Sequence, residues 1–423
     1  MTSILIKNGT IIRSDGLEEA DLLLRDGRIV EIGLIDTPAD ETIDASGKLI
    51  FPGFIDCHVH FREPGYEEKA TMKTEAASAR AGGVLTVCEM PNTNPPTVTV
   101  AALADKVRRA SEIHDIDLRF FFGITKEEHL LGLRELFTSS SEEMQRLRKR
   151  CCGVKVYFDH STGNQKIEEG LLPAVFEACA ELGITLVGHC EDAGTIAGSV
   201  QRVADSKETS VATHSERRPP EAEAKAIQHA IDLAKKYKTH FHVAHLSTKQ
   251  GIDLVRAAKK EGVTITCEVA PHHLFLTVDD YKKLGTLGKM NPPLRTKDHQ
   301  EALWKGIHDG TVDCIATDHA PHTLAEKQAG DPLKALSGVP GVETMIPLLL
   351  KKLSPIDLYR LCFENPNRIF HLEKNPIEVG TSSIVIIDPN VEWTIHAKDL
   401  HSKCGWTPFE GMKVKGRVMK VIN

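Results

Sequence analysis

Of the ten cysteines in this 423-residue chain none forms a Cys-x-x-Cys pair, and apart from Cys151-Cys152 they stand singly. That pattern excludes the paired-thiol frameworks of structural zinc modules. No apolar stretch approaches the roughly 18 residues a membrane helix needs, and no leader pattern is present. A reduced cytoplasmic protein with no membrane partner is therefore expected. No long basic run occurs and the formal charge is −7, which argues against nucleic acid as a partner. Internal repeats and low-complexity tracts are also missing.

What the chain does have is length and histidine, 20 of the latter. The length suits one α/β barrel of about 250 residues or more with a smaller domain beside it. Short β-type runs separated by turns fill the start of the chain: Ile4-Leu5-Ile6-Lys7-Asn8-Gly9, then Asp21 to Gly27, then Arg28 to Gly33. Asn-Gly and Asp-Gly between such runs are hairpin signals. Similar runs, Ser383 to Asp388 and Val414 to Ile422, close the chain. One small β domain built from residues 1–50 and 375–423 is expected, with two separate β caps as the alternative.

Residues 51–374 alternate strand-like and helical patterns, the signature of βα units on a parallel sheet. Candidate strands are Gly53–His58, Val84–Met90, Leu118–Gly123, Gly153–Phe158, Ile184–His189, His240–His245, Val263–Val269 and Val312–Asp318. That number closes a (β/α)8 TIM-type barrel. Among the helices, Glu221 to Tyr237 carries Ala222, Ala226, Ile227, Ala230, Ile231 and Ala234 on one stripe behind Pro219-Pro220. Long polar or Gly/Pro-rich insertions near 195–218 and 320–341 are expected to shape or cover a site.

Barrel enzymes carry their chemistry at the C-terminal ends of the strands. Those ends hold His58 and His60, Asn92, Lys155, His189, His245, Glu268 with His272 and His273, and Asp318 with His322. In a strand His58 and His60 point to one side. An isolated His-x-His is more often a structural pair. Four histidines and an aspartate converging on one rim are more simply a metal site, since imidazole and carboxylate suit zinc and similar divalent ions. Lys155 interrupts the apolar strand Gly153 to Phe158. An ammonium buried beside metal ions is disfavoured by desolvation and by like charge, whereas an amine that has captured carbon dioxide becomes an anionic bridging carbamate. A snorkelling structural lysine is the plain alternative.

Taken together, His58-Val59-His60-Phe61-Arg62-Glu63-Pro64-Gly65, Met90-Pro91-Asn92-Thr93, Gly153-Val154-Lys155 and Gly188-His189-Cys190-Glu191 form the first half of a wider pattern. Ala244-His245-Leu246-Ser247, Glu268 to His273, Asn291-Pro292-Pro293-Leu294-Arg295 and Asp318-His319-Ala320-Pro321-His322 complete it. In this order the stretches resemble the dihydroorotases of the amidohydrolase superfamily. The resemblance implies a binuclear zinc centre, with His58, His60 and Asp318 on one ion, His189 and His245 on the other, and carboxylated Lys155 bridging. Some relatives place a cysteine before the last histidine ligand and hold an additional zinc; here Ala244 stands there.

The implied reaction is the reversible closure of N-carbamoyl-L-aspartate to L-dihydroorotate in pyrimidine biosynthesis, with a metal-bridging hydroxide as attacking group in the hydrolytic direction. Asp318 then serves as general base and acid. Two dications with carbamate, aspartate and hydroxide leave a net charge of about +1, which favours an anionic small-molecule substrate. Arg62, Asn92 and His322 are expected to hold its carboxylate, and Asn291 its ring amide. Ser161 to Asn164 reads as a loop near the mouth. The resemblance leaves open a homodimer and an association with aspartate transcarbamoylase. Rival readings are an allantoinase or dihydropyrimidinase-like cyclic amidase, which would not call for Arg62, and an inactive scaffold homologue, which would not need every ligand position filled.

Overall fold

The computed structural model of the chain describes residues 2–159, 165–205 and 210–423. The expected loop Ser161 to Asn164 lies outside them. All eight predicted barrel strands form: Phe54–Val59 (β1), Val84–Glu89 (β2), Asp117–Gly123 (β3), Cys151–Tyr157 (β4), Leu186–His189 (β5), Phe241–Val243 (β6), Ile265–Val269 (β7) and Cys314–Ile315 (β8). They pair in chain order, each parallel to the next. The ring closes through a parallel bridge between Val59 and His319, where the His60 N–H donates to the His319 carbonyl at 2.7 Å. Nearly every strand residue is buried, as a parallel sheet covered on both faces requires.

The helix Pro220–Tyr237 follows the predicted stripe, with all six of its apolar positions buried. Its first turn uses Pro219 and Pro220, whose fixed φ suits a helix start.

A seven-stranded sheet holds both termini. The strand Leu49–Pro52 is its seam: it pairs in parallel with Ser3–Ile12 on one side and antiparallel with Ile384–Thr394 on the other. One sheet therefore forms, and two separate caps do not. Alternation along the seam splits its side chains: Phe51, Val385 and Ile387 join the barrel core, whereas Ile50, Ile384 and Ile386 join an apolar cluster within the sheet domain.

The two turn signals behave differently. Asp26 and Gly27 both take positive φ and make the expected tight hairpin. Asn8-Gly9 is no hairpin: the strand Ser3–Ile12 runs through it with a register shift. Asn8 sits at φ 61° while its N–H donates to Asp21 Oδ1 at 2.8 Å. A β-carbon on Gly9 would lie 2.3 Å from Ile50 Cδ1, so glycine is needed there for close packing.

Candidate active site

The barrel rim gathers the predicted groups. His58 leaves β1 and His60 follows it, and their Nε2 atoms lie 3.4 and 3.0 Å from Asp318 Oδ1. On the far side of each ring an acceptor fixes the tautomer: Glu268 Oε1 at His58 Nδ1, and Asn92 Oδ1 at His60 Nδ1, 2.6 Å away. With Nδ1 donating in both rings, two nitrogen lone pairs and a carboxylate oxygen face one another. Three such donors within 4.8 Å, all buried, are a cluster that a divalent ion relieves.

A second pair stands beside the first. His189 Nδ1 and His245 Nε2 are 3.0 Å apart, and the His58 and His245 ring centres are 5.1 Å apart. Glu191 Oε2 sits 3.0 Å from His189 Nε2 and is itself held by Arg218 Nε at 2.9 Å. The Nδ1 of His245 and the Nζ of Lys155 are buried without a hydrogen-bond partner among the described residues. Burial pulls the Lys155 amine down to about 8. An orphaned, easily neutralised amine in β4, together with donors on two sides, fits a pair of cations and a carbamate between them.

Asp318 is buried, which disfavours its charge; with no cation between them, a proton on His58 or His60 holds the carboxyl well below the usual range, whereas the neutral rings leave their lone pairs and the carboxylate to an ion. Its φ is 46°, that of His245 is 33° and that of Arg62 is 69°. Non-glycine residues in the left-handed region are uncommon, and three of them at one rim mark backbone shaped by the site.

The remaining predicted residues lie around the same pocket, which is lined by His58, His60, Arg62, Asn92, Asn291 and Gly338 among others. Arg62 is buried, its Nε donating to the Pro321 carbonyl at 2.9 Å and its Nη2 meeting His322 Nε2 at 3.1 Å. Burial, then the Arg62 charge, push His322 down to about 3, so its ring is neutral. Asn291 Oδ1 accepts from His214 Nε2 at 2.9 Å. Asn92 lines the pocket, but its oxygen is given to His60. His272 and His273 meet edge to face with ring centres 4.3 Å apart and are not among the lining residues, and His273 is bonded to the Pro292 carbonyl.

Sequence reading left several buried groups without a role. Asp56 accepts from the Thr317 N–H at 3.0 Å and the His58 N–H at 3.2 Å, tying the end of β8 to β1. Glu89 accepts from the Phe61 N–H at 2.7 Å and pairs with buried Lys106. A carboxylate inside an apolar strand was the available signal in both cases. Tyr157, Ala320 and Ser337 also line the pocket and carried no signal.

A parallel barrel with imidazole and carboxylate donors at the C-terminal rim defines a metal-dependent hydrolase architecture. The sequence model of the amidohydrolase family matches residues 49–422, and the chain belongs to that family. Within it the chain groups with the dihydroorotases. It is 40% identical to the dihydroorotase of Halobacterium salinarum over 92% of this chain and 91% of that one. It is 37% identical to that of Staphylococcus epidermidis over 97% and 96%. Among solved structures it is similar to the L-hydantoinase (dihydropyrimidinase) of Arthrobacter aurescens, with a TM-score of 0.92, 29% identity and coverage of 100% and 96%. Among the described residues no helix is long and apolar enough to cross a membrane.

Proposed function

We propose that the chain interconverts N-carbamoyl-L-aspartate and L-dihydroorotate, a step of pyrimidine biosynthesis. The observation that carries this reading is Arg62, a buried guanidinium opening on a pocket whose other wall is the His/Asp cluster. A cyclic amide without a carboxylate gives such a cation nothing to bind. Dihydroorotase relatives at up to 40% identity support the same choice over the hydantoinases, which share the fold at 29% or less.

His58, His60 and Asp318 would hold one ion and His189 with His245 the other, with carboxylated Lys155 between them; zinc suits this donor set. When bound, the ions would lower the pKa of water and polarise the scissile carbonyl. Asp318, kept ionised by its neighbours, takes the proton of the attacking water and returns it to the ring nitrogen as the amide opens. Arg62 orients the substrate carboxylate, and His322, neutral, steadies the guanidinium from behind. Asn291, which also lines the pocket, presents its amide to the substrate ring.

Purified protein offered dihydroorotate, carbamoyl aspartate, allantoin, hydantoin and dihydrouracil, with and without a chelator, tests the proposal. Turnover confined to the first two and abolished by the chelator is expected; preference for allantoin, hydantoin or dihydrouracil would overturn it. Lys155→Ala is expected to lose activity and rim metal together, and an active, metal-replete variant would remove Lys155 from the bridge.

A further inference from the structure

The joint between the barrel and the terminal sheet holds a cavity of about 410 Å³, at the end of the barrel opposite the His/Asp cluster. Its floor is the start of the first three barrel strands, through Gly53, Leu85, Thr86, Asp117 and Leu118. Residues 373–375 and 380–383, which lead from the last barrel helix to the strand Ile384–Thr394, form one wall. The turn of the sheet that carries Arg28 forms another. Small-molecule sites are commonly clefts of roughly 300–1,000 Å³ where domains meet.

The charge in this joint is unbalanced. Three cations converge on Asp117: Arg119 Nε at 2.7 Å, Lys374 Nζ at 2.5 Å, and Arg150 Nη1. One carboxylate cannot neutralise all three, so positive charge is left where Arg150 and Lys374 meet the cavity. Arg28 adds a guanidinium that has no ion pair among the described residues and is aimed by one bond, Nη1 to the Gly380 carbonyl at 2.9 Å. Counting Glu373, the other acidic side chain of the lining, four basic side chains face two acidic ones. The Arg28 turn is pinned to the opposite wall, the Ile29 N–H donating to the Thr381 carbonyl and the Gly380 N–H to the Ile29 carbonyl, both at 2.8 Å. The other guanidinium N–H groups of Arg28 and Arg150, and the side chains of Asn375, Ser382 and Ser383, make no hydrogen bond among the described residues. Beside these unused donors, Leu85, Ile113, Ile116 and Phe363 supply an apolar patch.

We propose that this joint binds a small phosphate monoester carrying a flat ring, of mononucleotide size, with Arg28, Arg150 and the serine pair on the phosphate and the apolar patch on the ring. Guanidinium forks take phosphate oxygens in pairs, and the Ser382 and Ser383 hydroxyls serve the remaining oxygen. A carboxylate brings one charge and two oxygens and uses less of what the walls offer. The site lies at the far end of the barrel from the rim, so its ligand is independent of the reaction there. A ligand held by both walls ties the sheet to the barrel, and because it binds the folded chain it raises the unfolding temperature.

Isothermal titration of the full-length protein with uridine 5′-monophosphate, adenosine 5′-monophosphate, the two nucleosides and inorganic phosphate tests it. At least one of the monophosphates is expected to bind once per chain with a Kd below about 1 mM and to raise Tm. Its nucleoside and inorganic phosphate, each lacking one half of the ligand, are expected to bind at least about tenfold more weakly. Arg28→Glu, in an exposed turn, and Ser382→Trp, which fills the cavity without changing charge, are each expected to weaken binding by about tenfold or more. Arg62→Ala, at the rim, is expected to leave it unchanged. Failure of both monophosphates to bind wild-type protein more tightly than about 1 mM overturns the proposal, and so does inorganic phosphate binding as tightly as they do. Binding that is lost in Arg62→Ala and kept in Arg28→Glu or Ser382→Trp would place the ligand at the rim and overturn it equally.

Discussion

Arg62 and His322 stand 260 residues apart in sequence, and their side chains meet at 3.1 Å on the edge of the pocket. The imidazole is neutral and adds no charge of its own; its Nε2 also lies 3.0 Å from the Ser337 carbonyl. Arg62 thus lines the pocket with its plane fixed by His322 and by the Pro321 carbonyl, while burial lowers its pKa from the usual guanidinium value.

Arg62→Lys keeps the charge and loses the planar fork. A buried, hydrogen-bonded charge pair truncated on one side costs about 2–5 kcal/mol, and the low end of that range is a loss of roughly thirtyfold in kcat/KM. Most of it is expected in KM, because the carboxylate is bound in ground state and transition state alike. Steady-state kinetics on dihydroorotate give the split; a loss below about threefold would remove Arg62 from substrate binding.

Asn92 separates two roles that sequence reading merged. Its oxygen, 2.6 Å from His60 Nδ1, fixes the ring that points Nε2 at Asp318. Removing a partner of a metal-binding histidine typically weakens metal affinity by about 10–100-fold. Asn92→Ala is therefore expected to lower metal affinity by that factor in chelator competition. A variant that retains wild-type metal affinity and changes only KM would make Asn92 a substrate group alone.

Lys327 is fully buried, and its Nζ donates to the carbonyls of Lys289, Leu336 and Gly338 at 2.7, 2.9 and 2.9 Å. It also lies 5.4 Å from the Trp406 ring, whose Nε1 donates to the His322 carbonyl. One ammonium thus ties the segment before Asn291 to the segment that brings Ser337 and Gly338 to the pocket. Lys327→Met keeps the bulk and removes the donor from the Leu336 and Gly338 carbonyls, while the Lys289 carbonyl keeps the Gly338 N–H at 3.0 Å, at a cost of roughly 2 kcal/mol or more in stability. KM is expected to rise about tenfold with kcat little changed. Unaltered KM in a folded variant would reduce Lys327 to a structural strut.

The barrel and its rim were legible because each strand is short, apolar and bounded, and because the ends carry residue types that a core avoids. His58, His60, His189, His245 and Asp318 come together for that reason. Less legible were groups whose meaning depends on a partner far along the chain. Glu268 was visible as a rim carboxylate, but its place between His58, His242 and Cys57 arises from the shift in β1 and the closure of the barrel. Asn8-Gly9 misled for a related reason: the glycine answers to Ile50, forty-one positions away, and not to its immediate neighbours. Lys327 gave no sign at all, since a lysine in a polar loop is ordinarily solvated.

Acid sensitivity is expected from His214, which is buried and bonded through Nε2 to the Met290 carbonyl and to Asn291 Oδ1, both at 2.9 Å. Burial, then the charges of Lys289 and Arg218, push its pKa down to about 3. The unfolded chain, with an ordinary value of about 6.5, binds more protons than the folded one between these limits. The contribution is thus whole above pH 6.5 or so and is lost as the pH falls, by about 1.4 kcal/mol per pH unit. Between about pH 7 and about pH 5 the loss comes to about 2 kcal/mol. His214→Gln retains an amide donor for Asn291 and does not titrate, so its stability is expected to fall less by that amount over the same interval. Urea midpoints of the two proteins at both pH values measure the difference, and equal slopes would show that His214 is already protonated in the folded state or remains solvated.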